Sequence, residues 1–135
     1  MKQIPQIQKY MTTTPHTIGS DQALEKAKEL MADLHVRHLP VLEDGKIVGV
    51  ISDRDLSLIS SFRDVDLKKT LVKDAMTTQP YTVSPEALLD EVVEEMAEKK
   101  YGSAIVLDGG KVVGIFTAVD GLSALAELLK TRLAK

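Results

Sequence analysis

Two short stretches of this 135-residue chain carry residue types suited to polar recognition: Ser52-Asp53-Arg54-Asp55 and Thr117-Ala118-Val119-Asp120. In each, a hydroxyl closing an apolar run is followed three residues later by a carboxylate. That spacing can cap a helix, the hydroxyl accepting from a backbone N–H while the acid reaches back. It can equally serve a polar ligand, and the spacing by itself leaves both readings open. Basic residues accompany the first stretch: His35, Arg37 and His38 precede Leu39-Pro40, and Arg54 lies inside it. A guanidinium fork grips two oxygens at once, which suits an anion, although solvated surface charge is the plain alternative. His35 and His38 are three apart, but no carboxylate–histidine framework accompanies them, so no metal site is expected. No Gly-x-Ser-x-Gly, phosphate-binding loop, dinucleotide fingerprint or His-Glu-x-x-His is present, so the expected chemistry is binding, not catalysis.

The two stretches are related by an internal repeat. Shifting the chain by 65 positions aligns 11–56 with 76–121 without gaps, with 16 identities in 46 positions. Met11-Thr12-Thr13 falls on Met76-Thr77-Thr78, Gly45-Lys46-Ile47-Val48-Gly49 on Gly110-Lys111-Val112-Val113-Gly114, and Asp55 on Asp120. Two copies are too few for a solenoid, and suit a pseudo-twofold pair instead. The standout carboxylates are thus repeat equivalents, which accounts for them without a catalytic pair.

Each copy predicts the same elements. A short extended piece (Thr17-Ile18, Thr82-Val83) precedes a helix, which in the second copy should open at Ser84 with Pro85 in its first turn. Leu24, Ala27, Leu30, Met31 and Leu34 form one helical stripe, and Leu88, Leu89, Val92, Val93 and Met96 the other. Strands 39–42 and 47–52 then flank a turn at Glu43-Asp44-Gly45-Lys46, and strands 103–107 and 112–117 flank Asp108-Gly109-Gly110-Lys111. A second helix starts at Asp53 and at Ala118. The latter has an apolar side at Leu122, Leu125, Leu129 and Leu133, with Lys130, Arg132 and Lys135 toward its negative end. Residues 61–73 read as a polar connection. The expected fold is α+β, two β-α-β-β-α units packed sheet to sheet, divided as 1–64 and 65–135.

Composition narrows the function classes. The chain is 44% hydrophobic and 27% charged, as a globular domain should be. Its 17 basic and 20 acidic residues leave a net charge of −3, which argues against binding nucleic-acid backbone. With no cysteine there is no disulfide framework, thiol catalysis or cysteine zinc site. Apolar runs are too short to span a bilayer, and the first residues show no apolar signal segment, so the cytosol is the expected compartment.

The run Leu39-Pro40-Val41-Leu42-Glu43-Asp44-Gly45-Lys46-Ile47-Val48-Gly49-Val50-Ile51-Ser52-Asp53-Arg54-Asp55-Leu56 closely resembles the signature of the CBS domain, as does the Met-Thr…Pro-x-Thr opening of each copy. The tandem arrangement, over about residues 5–130, resembles a CBS pair, or Bateman module. The resemblance implies a regulatory module, not an enzyme, binding AMP, ADP, ATP, S-adenosylmethionine or NAD in clefts between the repeats. It implies no further cofactor, and output to a separate regulated protein.

The resemblance also implies residue roles. Asp55 and Asp120 would accept from ribose hydroxyls, with Ser52 and Thr117 near phosphate. Arg37, His38 and Arg54 would touch phosphate. Their equivalents in the second copy are Gly102, Ser103 and Val119, so two equal sites are not expected. The expectation is one good site at Thr117 and Asp120, with Arg37 or Arg54 serving it across the repeats, and a lesser one at Ser52 and Asp55. Adenine would lie among Thr17, Ile18, Tyr81, Thr82, Val83, Ser103, Ala104 and Ile105, with Tyr81 either stacking on the base or packing. Such pairs commonly form disc-like dimers through their helices, so a homodimer is expected. The rival reading is an interaction scaffold whose nucleotide sites have degenerated.

Overall fold

The computed structural model describes residues 3–132. The fold is α+β, with two four-stranded sheets, and it divides into two compact units, 15–80 and 81–135 joined by 1–14.

In the unit of residues 15–80, β2 (Ile18–Gly19), β3 (His38–Glu43), β4 (Lys46–Ser52) and β5 (Thr77–Thr78) lie side by side in that order. The β2–β3 pair is parallel and the other two are antiparallel. Helix α1 (Leu24–Leu34) returns the chain from β2 to β3, α2 (Asp53–Ser60) follows β4 directly, and α3 (Val72–Ala75) precedes β5. The β3–β4 hairpin closes on Asp44-Gly45, both at positive φ (52° and 78°), the two-residue turn whose twist matches the strands. Ile18, Leu24, Ala27, Met31, Leu39, Val41, Ile51, Leu56 and Val72 form its core. The stretch 61–73 does more than connect. Val72 is fully buried, and the Leu24 and Glu25 N–H groups donate to the carbonyls of Thr70 and Leu67.

The other unit repeats this plan. Its sheet runs β1 (Thr12–Thr13), β8 (Lys111–Thr117), β7 (Ser103–Asp108), β6 (Thr82–Val83), with α4 (Leu89–Lys99) and α5 (Ala118–Arg132). Gly109 and Gly110, again both at positive φ, close the hairpin. Ile7, Leu89, Val92, Met96, Ala104, Val106, Phe116 and Ala124 form the core. The unit includes the start of the first sequence repeat: β1 pairs with β8, while Met76 to Thr78 of the second repeat belong with residues 15–80. Sequence repeat and compact unit are therefore offset by one edge strand.

Two elements differ from the sequence reading. Helix α4 starts at Leu89, not at Ser84, because the backbone before it is taken up by the N-terminal segment. Ile7 N–H donates to the Ala87 carbonyl and Leu89 N–H to that of Pro5. In α5 the leucine side is turned out: Leu122, Leu125 and Leu129 are exposed, while Ala124 is buried and Leu128 packs on the core. Leu133 and Lys135 lie outside the described residues.

Candidate functional site

Both hydroxyl-x-x-acid stretches stand at the turn from the last hairpin strand into a helix. In the first, Asp55 N–H donates to Ser52 Oγ at 3.1 Å, while Ser52 N–H and Oγ both donate to Asp55 Oδ2 at 3.0 Å. This is a complete capping box on α2. In the second, Asp120 N–H donates to Thr117 Oγ1 at 3.2 Å and Thr117 N–H to Asp120 Oδ2 at 2.9 Å. The helix-capping reading is therefore realised at both positions. It occupies one oxygen of each carboxylate: the hydrogen bonds to Asp55 and Asp120 all end on Oδ2. Both acids are half-buried, and among the described residues no hydrogen bond ends on Oδ1 of either.

Strand register assembles the rest. His38 pairs with Ser52 across β3–β4, and Asp53 N–H donates to the Arg37 carbonyl at 2.9 Å. Arg37, His38 and Arg54 thus stand at the Ser52–Asp55 junction, while Ile18 of β2, preceded by Thr17, pairs with Val41, three residues further along β3 from His38. The Arg37 side chain is 76% exposed, with Nε 3.9 Å from Asp53 Oδ2, a loose pair. Asp53 is a neighbour the sequence reading passed over, although it stands beside Ser52. His35 closes α1 in the left-handed conformation (φ 56°), its N–H donating to the Met31 carbonyl. Among the described residues no His, Asp and Glu cluster could hold a metal ion.

The second junction has the same backbone and other side chains. Ser103 pairs with Thr117, and Ala118 N–H donates to the Gly102 carbonyl at 3.1 Å. Thr82 and Val83 lie beside Ile105 and Val106, and Ile105 N–H donates to the Tyr81 carbonyl. Tyr81, Thr82, Val83, Ser103, Ala104 and Ile105 therefore share a sheet with Thr117 and Asp120. Ser103, Ala104 and Ile105 are buried. The Tyr81 ring stacks on Tyr101 with centroids 5.2 Å apart, a partner the sequence did not announce. Burial, reinforced by Glu95, Tyr101 and Glu91, raises the ionisation of the Tyr81 hydroxyl above its usual range.

A sheet of four strands made twice, each ending in a hydroxyl-capped helix, defines a tandem-repeat binding module. The CBS domain family profile matches residues 7–60 and 72–127, so the chain belongs to that family and carries two CBS domains in tandem. A Vibrio cholerae protein named for acetoin utilization (AcuB) is 29% identical and superposes with a TM-score of 0.84, over 98% of both chains. CBSX2, solved in complex with AMP, is 28% identical with a TM-score of 0.80, over 91% of this chain and 97% of that one. The inosine-5'-monophosphate dehydrogenase of Korarchaeum cryptofilum is 32% identical over 77% of this chain, which spans only 21% of that enzyme. No helix among the described residues is long and apolar enough to cross a membrane.

Proposed function

We propose that this protein is a regulatory module that binds an adenosine-containing ligand at its strand–helix junctions and signals to a separate partner. The observation that carries the reading is the carboxylate with one oxygen held in the helix cap and the other available, present at both junctions. A ribose diol can donate two hydrogen bonds, and the two lone pairs of the remaining Oδ1, held in place by the cap, could accept them without reorganising. The AMP complex of CBSX2 supports the ligand class. The exposed Leu122, Leu125 and Leu129 of α5 support a homodimer, since such a row on a single helix is surface that association would bury.

One observation favours a second reading, an interaction scaffold: the capping boxes by themselves account for Ser52, Asp55, Thr117 and Asp120. Thermal unfolding against AMP, ADP, ATP, S-adenosylmethionine and NAD, with guanosine nucleotides as controls, separates the two. A ligand at 100 times its Kd adds about 2.7 kcal/mol, a shift of several degrees. A selective shift with an adenosine compound is expected; none with any of them leaves the scaffold.

A further inference from the structure

The chain has five methionines and no cysteine, so thioethers are its only sulfur. Of those the structure describes, Met31 and Met96 are core residues, 6% and 5% exposed. Met11 and Met76 are repeat equivalents of another kind. Each is half-buried, packs on the margin of a core and immediately precedes an edge strand, β1 or β5. Each also lies over a glycine of the strand that its edge strand pairs with. Met11 Sδ fills the space that a Cβ on Gly114 would need, and Met76 Sδ stands 2.6 Å from the corresponding position on Gly49. Glycine at these positions lets a thioether lie against strand backbone.

The edge strands behind these methionines are short and end under strain. Thr14 follows β1 at φ 47° and Gln79 follows β5 at φ 51°, each directly before a proline. Neither is glycine, so the left-handed backbone costs energy that strand pairing and packing must offset. Past these joints the chain leaves one compact unit for the other, after Thr14 and after Pro80.

We propose that Met11 and Met76 are sulfoxidation sites for a peroxide, and that their oxidation releases β1 from β8 and β5 from β4. The inference does not depend on what the module binds. The thioether sulfur attacks one peroxide oxygen: the S–O bond forms as the O–O bond breaks, and sulfur loses two electrons. The departing hydroxide takes the proton of the transferred hydroxyl and leaves as water. The product is a polar sulfoxide where an apolar sulfur lay on the core margin. The oxidised end reaches water only by leaving its glycine uncovered, so the packing that holds the edge strand is lost either way.

Graded hydrogen peroxide on the intact chain, followed by peptide mass spectrometry and amide hydrogen exchange, tests this. Met11 and Met76 should gain oxygen about tenfold or more faster than Met31 and Met96. With those two oxidised, exchange at the β1–β8 and β5–β4 pairings should speed by about tenfold or more, while the β3–β4 and β7–β8 hairpins keep their protection. Methionine sulfoxide reductases should reverse the change. The double variant Met11→Leu, Met76→Leu removes both sulfurs and keeps apolar bulk, so peroxide should no longer speed exchange there. The wild-type measurement decides by itself if that variant does not fold. Equal oxidation of all four sulfurs overturns the inference, as does oxidation of Met11 and Met76 without faster exchange at the edge strands. An undiminished response in the leucine variant overturns it too.

Discussion

Ser52 and Asp55 are joined by three hydrogen bonds, at 3.0, 3.0 and 3.1 Å, made through one hydroxyl and one carboxylate oxygen. A single pair of residues thus starts α2 and, in the proposed function, also holds the carboxylate that a ligand would meet. Removing the hydroxyl in Ser52→Ala should cost about 1 kcal/mol of stability, read by urea unfolding. Asp55→Asn keeps an oxygen for the cap and should stay closer to wild type than Asp55→Ala, while both lose the second acceptor oxygen proposed for a ribose diol.

At the second junction, Asp120→Ala should weaken the adenosine ligand that the thermal panel identifies by roughly 1.5–3 kcal/mol, with the fold retained in circular dichroism. An unchanged dissociation constant would remove Asp120 from the binding site and favour the scaffold.

Gly49 and Gly114 should respond differently to alanine. A Cβ on Gly49 would meet the Thr77 carbonyl oxygen at 2.7 Å as well as Met76 Sδ at 2.6 Å, and the backbone of the paired edge strand cannot step aside. On Gly114 its three closest neighbours are all side-chain atoms of Met11, which can turn away. Gly49→Ala should therefore cost about 1–3 kcal/mol, and Gly114→Ala less. Met11→Ala should restore Gly114→Ala, whereas Met76→Ala should not fully restore Gly49→Ala. A double-mutant cycle in urea measures both.

Alkaline pH should weaken the fold through two tyrosines. Burial, followed by a hydrogen bond to Glu127, raises the ionisation of Tyr10, and burial with nearby carboxylates raises that of Tyr81. As pH rises the unfolded chain releases these protons first, near pH 10, so the contribution is whole below that pH and is lost as pH climbs toward the folded-state values. Urea unfolding between pH 8 and roughly 11 should show a steeper decline in wild type than in the Tyr10→Phe, Tyr81→Phe double variant.

Light scattering should find a dimer at micromolar concentration, with Leu125→Glu shifting it to monomer without loss of helix content. A monomeric wild type would leave the leucine row of α5 for another partner.

Much of this was legible in the residues. The repeat, the α+β class, the hairpins at Asp44-Gly45 and Gly109-Gly110, and helix starts at Asp53 and Ala118 follow from local chemistry: a turn needs positive φ, and a helix end needs a cap. The start of α4 was not legible, because Ser84-Pro85 is a good local opening that loses to two long-range hydrogen bonds, Leu89 N–H to the Pro5 carbonyl and Ile7 N–H to the Ala87 carbonyl. The side of α5 that is buried was not legible either, since a leucine row reads as core until Phe116 and Ala124 are seen packed elsewhere.

The sequence by itself determined which residue types recur at each junction, and that arginines attend only one. Tertiary structure decided which residues stand together. Strand register sets His38 against Ser52 and Ser103 against Thr117, and a one-residue slip would have turned each set to the opposite face. It also decided that β1 belongs with β8, since an edge strand chooses its sheet by pairing backbone groups distant in the chain, which side-chain periodicity does not encode.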